Sequence, residues 1–132
     1  VILQTRLPDY QVIHHASQEA YAAFYNEELP IRMQFGYPPF KKMVRIILQS
    51  ADQDLTDRYG AYLTHLIDKN KEKDVEVLPY TLCGLTKAKG QYRGQILLKA
   101  SKFSSIQKLA PLISPQDKIK ILLDVDPNQT FF

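Results

Sequence analysis

Residues 42–50 read KMVRIILQS, and their side chains alternate in character along the chain. One side of an extended chain carries only aliphatic side chains, at Val44, Ile46 and Leu48. The other side carries a mixed set, at Met43, Arg45, Ile47 and Gln49. Successive side chains of a strand point to opposite faces, so this period of two predicts a β-strand that buries one face.

A helix is predicted after this strand, followed by two more strands. Asp52 is a suitable N-cap, and the predicted buried face of the helix consists of Leu55, Tyr59, Tyr62, Leu63 and Leu66. Residues 75–77 predict a short strand that ends at Pro79, and residues 80–91, rich in Gly, Thr and Lys, predict a loop. Residues 92–100 alternate again and predict a long strand.

The end of the chain predicts one more helix and one more strand. Residues 102–113 have helical spacing, with three inward residues, Ile106, Leu109 and Ile113. Residues 118–126 predict the last strand, with one side formed by Ile119, Ile121, Leu123 and Val125. The predicted order is therefore strand, helix, strand, strand, helix, strand.

This order predicts an α+β domain over residues 40–132. Two βαβ halves with right-handed crossovers build a ferredoxin-like βαββαβ domain, in which a four-stranded antiparallel sheet carries two helices on one face. With the first and third strands at the centre, Arg93 would lie beside Arg45. The other sheet face is expected to be open unless residues 6–35 or a neighbouring domain cover it. It would carry Arg45, Arg93, Gln95, Lys99, Lys118, Lys120, Ile47, Leu97 and Leu122, a mixture suited to docking.

Residues 1–39 are predicted to be a separate helical piece with a linker. Residues 1–5 predict a short buried strand, and Pro8-Asp9 a turn. A helix is expected over residues 17–29 with Ser17 as its N-cap, and Pro30 either starts a second short helix or continues the first with a kink. Residues 36–40, GYPPF, predict a stiff extended linker.

Composition excludes several classes of protein. The 132 residues are 45% hydrophobic and 23% charged, as in ordinary globular proteins. No apolar run is long enough to span a membrane, and the start lacks signal-peptide features, so a cytoplasmic location is expected. With the single Cys83 no internal disulfide forms, and the three histidines lack metal-site spacing. No phosphate loop, G-x-S-x-G or H-E-x-x-H motif is present, so no catalytic residue is predicted.

Two isolated features allow a chemical interpretation beside a structural one. Asp124 and Asp126 lie two apart on a predicted strand and could share a cation, although a charged strand end explains them more simply. Cys83 has no obvious base beside it, which favours a buried thiol over a nucleophile.

Charge is unevenly distributed along the chain. The formal net charge is +3, but no Asp or Glu occurs between Glu76 and Asp117. That stretch contains six cations, Lys87, Lys89, Arg93, Lys99, Lys102 and Lys108. Residues 41–45 are also basic without an acid. An anionic partner and an ordinary solvated surface both explain this pattern.

Several groups of residues form a series that spans nearly the whole chain. They are Val1-Ile2-Leu3-Gln4-Thr5 with Pro8, Val12-Ile13, Tyr21, Phe24, Glu28, Arg32, Gly36-Tyr37-Pro38-Pro39-Phe40, Tyr92-Arg93-x-Gln95-Ile96-Leu97-Leu98 and Asp124-Val125-Asp126-Pro127. This series resembles the end of the second helicase lobe and the C-terminal domain of the PriA (primosomal protein N-prime) family of replication-restart DNA helicases. The GYPPF and DVDP elements are the most specific, whereas Pro30 departs from the unbroken helix of that family.

The resemblance implies a part of an ATP-dependent helicase that recognises stalled forks and reloads the replisome. It implies that the ATP, magnesium and zinc sites lie upstream of residue 1, so the chain itself would hold no cofactor and neither hydrolyse ATP nor unwind DNA. The implied partners are forked or single-stranded DNA, the single-stranded-DNA-binding protein and other primosome proteins. A monomer is expected.

Candidate site residues follow from charge, predicted face and resemblance together. The candidate nucleic-acid-binding residues are Lys41, Lys42, Arg45, Lys87, Lys89, Tyr92, Arg93 and Lys99. The candidate protein-docking residues are Lys102 and Phe103, where a cation adjoins an apolar side chain. Tyr92 and Tyr37 could stack on an unpaired base or simply pack in the core or linker. The alternatives to a DNA-binding module are a scaffold domain that contacts the helicase lobes and, with less support, a small-molecule regulatory domain.

Overall fold

The computed structural model describes residues 2–114, 116–128 and 130. The chain forms two compact units, Val1–Gly36 and Tyr37–Phe132.

The first unit holds two helices, α1 at Gln11–Ser17 and α2 at Tyr21–Phe35. Helix α1 has no counterpart in the sequence-based prediction. Helix α2 continues through Pro30, although proline lacks the N–H of a normal helical residue. Of the two predicted alternatives, the structure therefore has the continued helix and not a second helix that starts at Pro30. Helix α2 ends at Phe35 and is capped by Gly36, whose φ of 60° is the left-handed conformation that closes many helices.

Two predictions for this unit are wrong. Residues 2–5 form no strand, and Ile2 is 96% exposed, because nothing in the described part of the chain pairs with them; Val1 lies outside the described residues. Ser17 is the last residue of α1 and not a helix N-cap, and its hydroxyl donates to the carbonyl oxygen of His14 at 2.8 Å. The turn at Pro8-Asp9 is confirmed.

The linker expected to be extended is a turn. The Pro38–Pro39 peptide bond is cis, and the Phe40 N–H donates to the carbonyl oxygen of Tyr37 at 3.0 Å. The chain therefore reverses direction before the first strand, and the prediction of a stiff extended spacer is wrong.

The second unit contains a five-stranded antiparallel sheet. Its elements in chain order are β1 (Lys42–Ser50), α3 (Gln53–Asn70), β2 (Glu76–Val77), β3 (Thr81–Ala88), β4 (Gln91–Ala100), α4 (Phe103–Gln107), a 3-10 turn (Ala110–Leu112) and β5 (Lys120–Val125). Strand β1 lies between β4 and β5, and β2 and β3 both pair with β4, giving the order β2-β4-β1-β5 with β3 also on β4. The predicted α+β class and antiparallel sheet are confirmed.

Strand β3 occupies the segment that was predicted to be a loop over residues 80–91. It forms a hairpin with β4 through the two-residue turn Lys89-Gly90, where φ is positive at both positions, 50° and 77°. Such turns match the twist of the paired strands. The loop prediction is wrong because a register shift between Leu82 and Lys87 interrupts the alternation that would reveal a strand.

The hydrophobic core lies between one sheet face and the helices α3 and α4. The inward residues predicted for β1 and β4 are confirmed, since Val44, Ile46, Leu48, Ile96 and Leu98 are all buried in one cluster. Helix α3 begins as predicted, with the Leu55 N–H donating to Asp52 Oδ1 at 3.1 Å, and it buries Thr56, Gly60, Leu63 and Ile67. Tyr62 was predicted to be inward, but it is 58% exposed.

The last helix and the last strand are shorter than predicted. Helix α4 stops at Gln107 and is followed by a 3-10 turn containing Pro111, which has no N–H to extend an α-helix. Strand β5 begins at Lys120, and only its first half packs on the core through Ile121. Leu123 and Val125 lie opposite the core residues Ile46 and Val44, so they share the side of the sheet that was predicted. Both are nevertheless exposed, since β5 is an edge strand with a neighbour on one side only.

The second sheet face is partly covered, and not open as predicted. Arg45, Gln95 and Lys99 are buried there. The chain's own C-terminal segment crosses this face: the Asp126 N–H donates to the carbonyl oxygen of Met43 at 2.8 Å, and the Gln95 side-chain amide donates to the carbonyl oxygen of Thr130 at 2.7 Å. The cover found in this unit therefore comes from the C-terminal segment, through Asp126 and Thr130.

The Tyr80 side chain packs between helix α3 and strand β4. Its hydroxyl donates to Asp57 Oδ1 at 2.7 Å. The pKa of this hydroxyl is raised, mainly because the group is buried. A Cβ atom added to Gly60 or Gly94 would lie 2.3 Å and 1.9 Å from the nearest Tyr80 side-chain atom. Both glycines are therefore required for the close approach of this ring.

Gly94→Ala is expected to lower the free energy of unfolding by about 1–3 kcal/mol, since overpacking displaces the Tyr80 ring. Chemical denaturation of the two single variants and of Gly94→Ala/Tyr80→Leu measures this. The cost of Gly94→Ala should shrink when the tyrosine is absent, because the two residues interact directly. Additive costs would show that the methyl group clashes elsewhere.

Arg45→Ala is expected to destabilise the fold by about 1–3 kcal/mol, because a hydrogen bond to a charged partner is lost. The Arg45 side chain is 8% exposed and its guanidinium lies 2.8 Å from Asp124 Oδ2. Lys42→Ala is the matched control, since it removes a 51% exposed cation of the same strand that lies 3.4 Å from Asp126. Thermal and urea unfolding should separate the two variants; equal small effects would contradict the structural role of Arg45.

Candidate functional site

The candidate cations fall into two groups at opposite ends of the sheet. The first group, called the paired end, joins four cations to three acids: Lys41, Lys42, Arg45 and Lys99 with Glu76, Asp124 and Asp126. The strand register brings them together, because β1 begins where β4 and β5 end. Opposite charges at such spacing largely neutralise one another.

Each cation of the paired end has a specific carboxylate near it. Lys41 Nζ lies 3.2 Å from one oxygen of Glu76, and Lys99 Nζ lies 3.9 Å from the other. The ammonium of Lys99 also lies 4.5 Å from the ring centroid of Tyr37, within the range of a cation–π contact. Tyr37 is thus engaged with a cation inside its own unit.

The second group, called the hairpin end, lies where β3 turns into β4. It contains Lys87, Lys89, Tyr92 and Arg93, all candidates from the sequence. Lys87 and Tyr92 are directly opposite in the hairpin register, and Lys87 Nζ lies 3.3 Å from the Tyr92 hydroxyl and 4.6 Å from the ring centroid. Lys89 is exposed in the turn. Within residues 2–114, 116–128 and 130, no acid forms an ion pair with these three cations.

Arg93 does not lie beside Arg45, which corrects the sequence-based expectation. The register sets Arg93 opposite Gln49 and Arg45 opposite Leu97. The Nε atom of Arg93 is buried and has no hydrogen-bond partner within the described part of the chain. Lys120 is opposite Gln49 on the other flank of β1, so two cations and one amide form a row across three strands.

Sequence reasoning placed Lys120 on this face but did not select it or Gln49 as site residues. Their significance depends on the long-range register of β1 with both neighbours. The hairpin had one usable signal, the Lys89-Gly90 dipeptide between two strands, because glycine favours a two-residue turn.

The two candidate docking residues are both accessible. Lys102 is the residue that precedes helix α4, and Phe103 is the first residue of that helix and 40% exposed. The helix has five residues, so it presents a small surface. Their role in docking stays a prediction.

The remaining residues that could carry chemistry are Cys83, Asp124 and Asp126, and the environment of each favours a structural role. Cys83 is buried, and burial raises the pKa of its thiol, so the reactive thiolate is disfavoured. Asp124 and Asp126 lie beside Arg45 and Lys42. Among the described residues, no three His, Cys, Asp or Glu side chains are arranged to hold a metal ion. Likewise, no helix in the described ranges has the length and apolar character needed to span a membrane.

Comparison with known proteins identifies relatives across the whole chain. Residues 33–128 match the family model described as the primosomal protein N C-terminal domain. The replication restart protein PriA of Chlamydia pneumoniae is 31% identical over 100% of this chain and 18% of its own length. That of Borreliella burgdorferi is 31% identical over 92% of this chain, and that of Haemophilus influenzae 27% identical over 96%, each over 18% of its own length.

The chain thus spans about 18% of the length of these curated relatives. The match includes the GYPPF turn and the DVDP end, the two elements on which the resemblance chiefly rests. The chain belongs to the family of the primosomal protein N C-terminal domain, the C-terminal domain of replication restart protein PriA.

Proposed function

We propose that this chain is the DNA-binding and protein-docking domain of a replication-restart helicase that works in the cytoplasm. In this proposal it helps to recognise branched or single-stranded DNA at stalled forks and to reload the replisome. The observation that carries the proposal is the hairpin end, where exposed cations have no acidic partner among the described residues.

The charges of the hairpin end suit a phosphate backbone. Lys87 and Lys89 are exposed, and no acid occurs in the sequence from residue 77 to residue 116. Cations of this kind bind DNA by displacing condensed counterions, and they lose little hydration when they do so. The Lys87 ammonium donates to the Tyr92 hydroxyl and lies over the Tyr92 ring. These contacts fix the position of the positive charge next to an aromatic side chain.

The paired end contributes less in this proposal. Lys41, Lys42, Arg45 and Lys99 each lie near a carboxylate of the same unit. A phosphate would have to compete with that carboxylate, and for the buried Arg45 and Lys99 it would also have to displace the covering segment. We therefore assign these four residues chiefly to stability and the hairpin-end residues to DNA.

The sheet supports a ferredoxin-like interpretation. Strands β2 and β3 pair with successive parts of the same edge of β4, so together they occupy one strand position. If β2 and β3 are counted as one strand, β1 and β4 become the first and third strands of a βαββαβ sheet. Both then lie at the centre, as in the ferredoxin-like arrangement. Residues 40–132 would then form the C-terminal domain, and residues 1–39 the end of a helicase lobe with its linker.

The first unit carries an observation that favours a scaffold role as well. Neither of its helices buries a residue, and many apolar side chains are exposed, among them Tyr21, Ile31, Met33 and Phe35. Such a surface is suited to packing against another protein segment. In the alternative function, the chain holds the helicase lobes in place and binds the single-stranded-DNA-binding protein at Lys102 and Phe103 without touching DNA. ATP, magnesium and zinc would belong to the part of the longer protein outside this chain.

Replacing Lys87 and Lys89 by alanine is expected to weaken binding of forked and single-stranded DNA and to flatten its salt dependence by about one to two units of slope. Fluorescence anisotropy across a potassium chloride series measures both quantities. The variant Lys41→Ala/Lys42→Ala is the matched control, because it removes the same charge where acids are nearby. Its slope should stay close to that of the parent.

Two results would contradict the proposal. Equal losses in both double variants would mean that only net charge matters. An absence of DNA binding by the parent chain at low salt, together with binding of a peptide from the single-stranded-DNA-binding protein that is lost in Lys102→Ala, would establish the scaffold alternative.

Amide hydrogen exchange is expected to be faster in residues 2–36 than in residues 42–126, because the helices of the first unit bury no side chain. Mass spectrometry of peptides from the exchanged chain measures this. The strands β1 and β4, at the centre of the sheet, are the internal reference for slow exchange. Comparable protection in both units would show that the first unit is stable without the helicase lobe.

A further inference from the structure

One row of side chains crosses the sheet at the hairpin end. Gln49 of β1 is opposite Arg93 of β4 on one flank and opposite Lys120 of β5 on the other. Neighbouring strands lie about 4.8 Å apart, so each cation has its backbone within one strand spacing of Gln49. Long side chains from both flanks can therefore meet above the glutamine.

This row lies on the sheet face opposite the helices. The inward residues of β1 are Val44, Ile46 and Leu48, and alternation places Gln49 on the other face. The C-terminal segment covers that face as far as Gln95, which donates to Thr130. Arg93 is the next residue of β4 on the same face, one row beyond this contact. Lys120 is exposed and Gln49 is half-buried.

The row combines donors and lacks an acid. Arg93 Nε is buried without a hydrogen-bond partner in the described ranges, which leaves a donor directed toward no acceptor. A buried donor of this kind costs free energy until an acceptor reaches it. The carboxylate that shares this face on β5 is Asp124, and it accepts from Arg45. The register thus sets a guanidinium, an amide and an ammonium side by side, a set of donors that suits one anionic group.

We infer that Arg93, Gln49 and Lys120 bind one backbone phosphate of a DNA strand. The inference rests on the proposed DNA-binding function and adds to it a second point of contact, separate from Lys87 and Tyr92. Those two residues lie on the opposite face of the hairpin, since Tyr92 and Arg93 are successive residues of β4. A guanidinium binds phosphate oxygens in a fixed planar geometry, which a lysine alone does not provide.

The test compares two charge-matched double variants in binding to a single-stranded oligonucleotide over a salt series. Arg93→Gln/Lys120→Gln should bind about tenfold more weakly at low salt, as expected for the loss of charge-assisted contacts. Its slope should fall by about 0.7, the value for one phosphate of a single strand. The control, Lys69→Gln/Lys73→Gln, removes two exposed cations from the end of α3 and the segment after it, and should match the parent.

A spectroscopic readout identifies the row itself. In nitrogen-15 spectra of the parent chain, the Gln49 side-chain amide and the Arg93 Nε–H should shift on addition of the oligonucleotide. An oligonucleotide with uncharged methylphosphonate linkages should leave both signals in place. If Arg93→Gln prevents folding, Lys120→Glu alone serves instead, because this residue is exposed on an edge strand.

The outcomes separate this inference from the proposed function. Unchanged affinity and slope in Arg93→Gln/Lys120→Gln, in a chain whose binding still depends on Lys87 and Lys89, would overturn the row and leave the hairpin as the DNA contact. Shifts of Gln49 with the uncharged oligonucleotide would also overturn it, since base contacts would then explain them. A parent chain that binds no DNA at low salt would overturn both.

Discussion

Strand β1 is paired along both edges, with β4 from Lys42 to Ser50 and with β5 from Val44 to Gln49. This double pairing determines which side chains face the helices. The side-chain period of a strand is two, so a slip of one residue would move the whole buried set to the other face. A slipped β1 would direct Arg45 into the apolar core, a large cost for an unpaired charge. The core and the positions of the charges therefore depend on the same register.

That register gives the cations two physical roles. Arg45 and Lys99 are buried, and a charge removed from water must be paired with a carboxylate or lie against an aromatic ring, as these two do. Lys87 and Lys89 stay in water, where a lone cation costs little and remains available to an anion. The difference does not lie in residue type, since lysines occur in both groups. It lies in position, because Arg45 and Lys99 belong to the two central strands, whereas Lys87 and Lys89 lie at the end of the β3–β4 hairpin.

Periodic patterns predicted β1, β4 and α3 because each has a buried face long enough to show its period. Strand β3 was missed because the shift between Leu82 and Lys87 breaks its alternation. The same alternation correctly put Arg45 and Lys99 on the second face, but it could not show that the C-terminal segment returns across that face as far as Thr130. Contacts between residues more than 30 positions apart leave no local pattern. The face of Arg45, Arg93 and Lys99 was therefore predictable from the alternation, and their exposure was not.

Small size limits both stability and affinity in this chain. The first unit has 36 residues, and units of about 40 residues or fewer rarely bury enough surface to fold alone. A few exposed cations likewise release only a few counterions, so the isolated chain gains little affinity for DNA at physiological salt. Linkage to other binding modules raises affinity through effective concentration without any new contact. The chain spans about 18% of the length of its relatives, so under the proposed function its part in DNA binding is to orient a longer protein on the DNA.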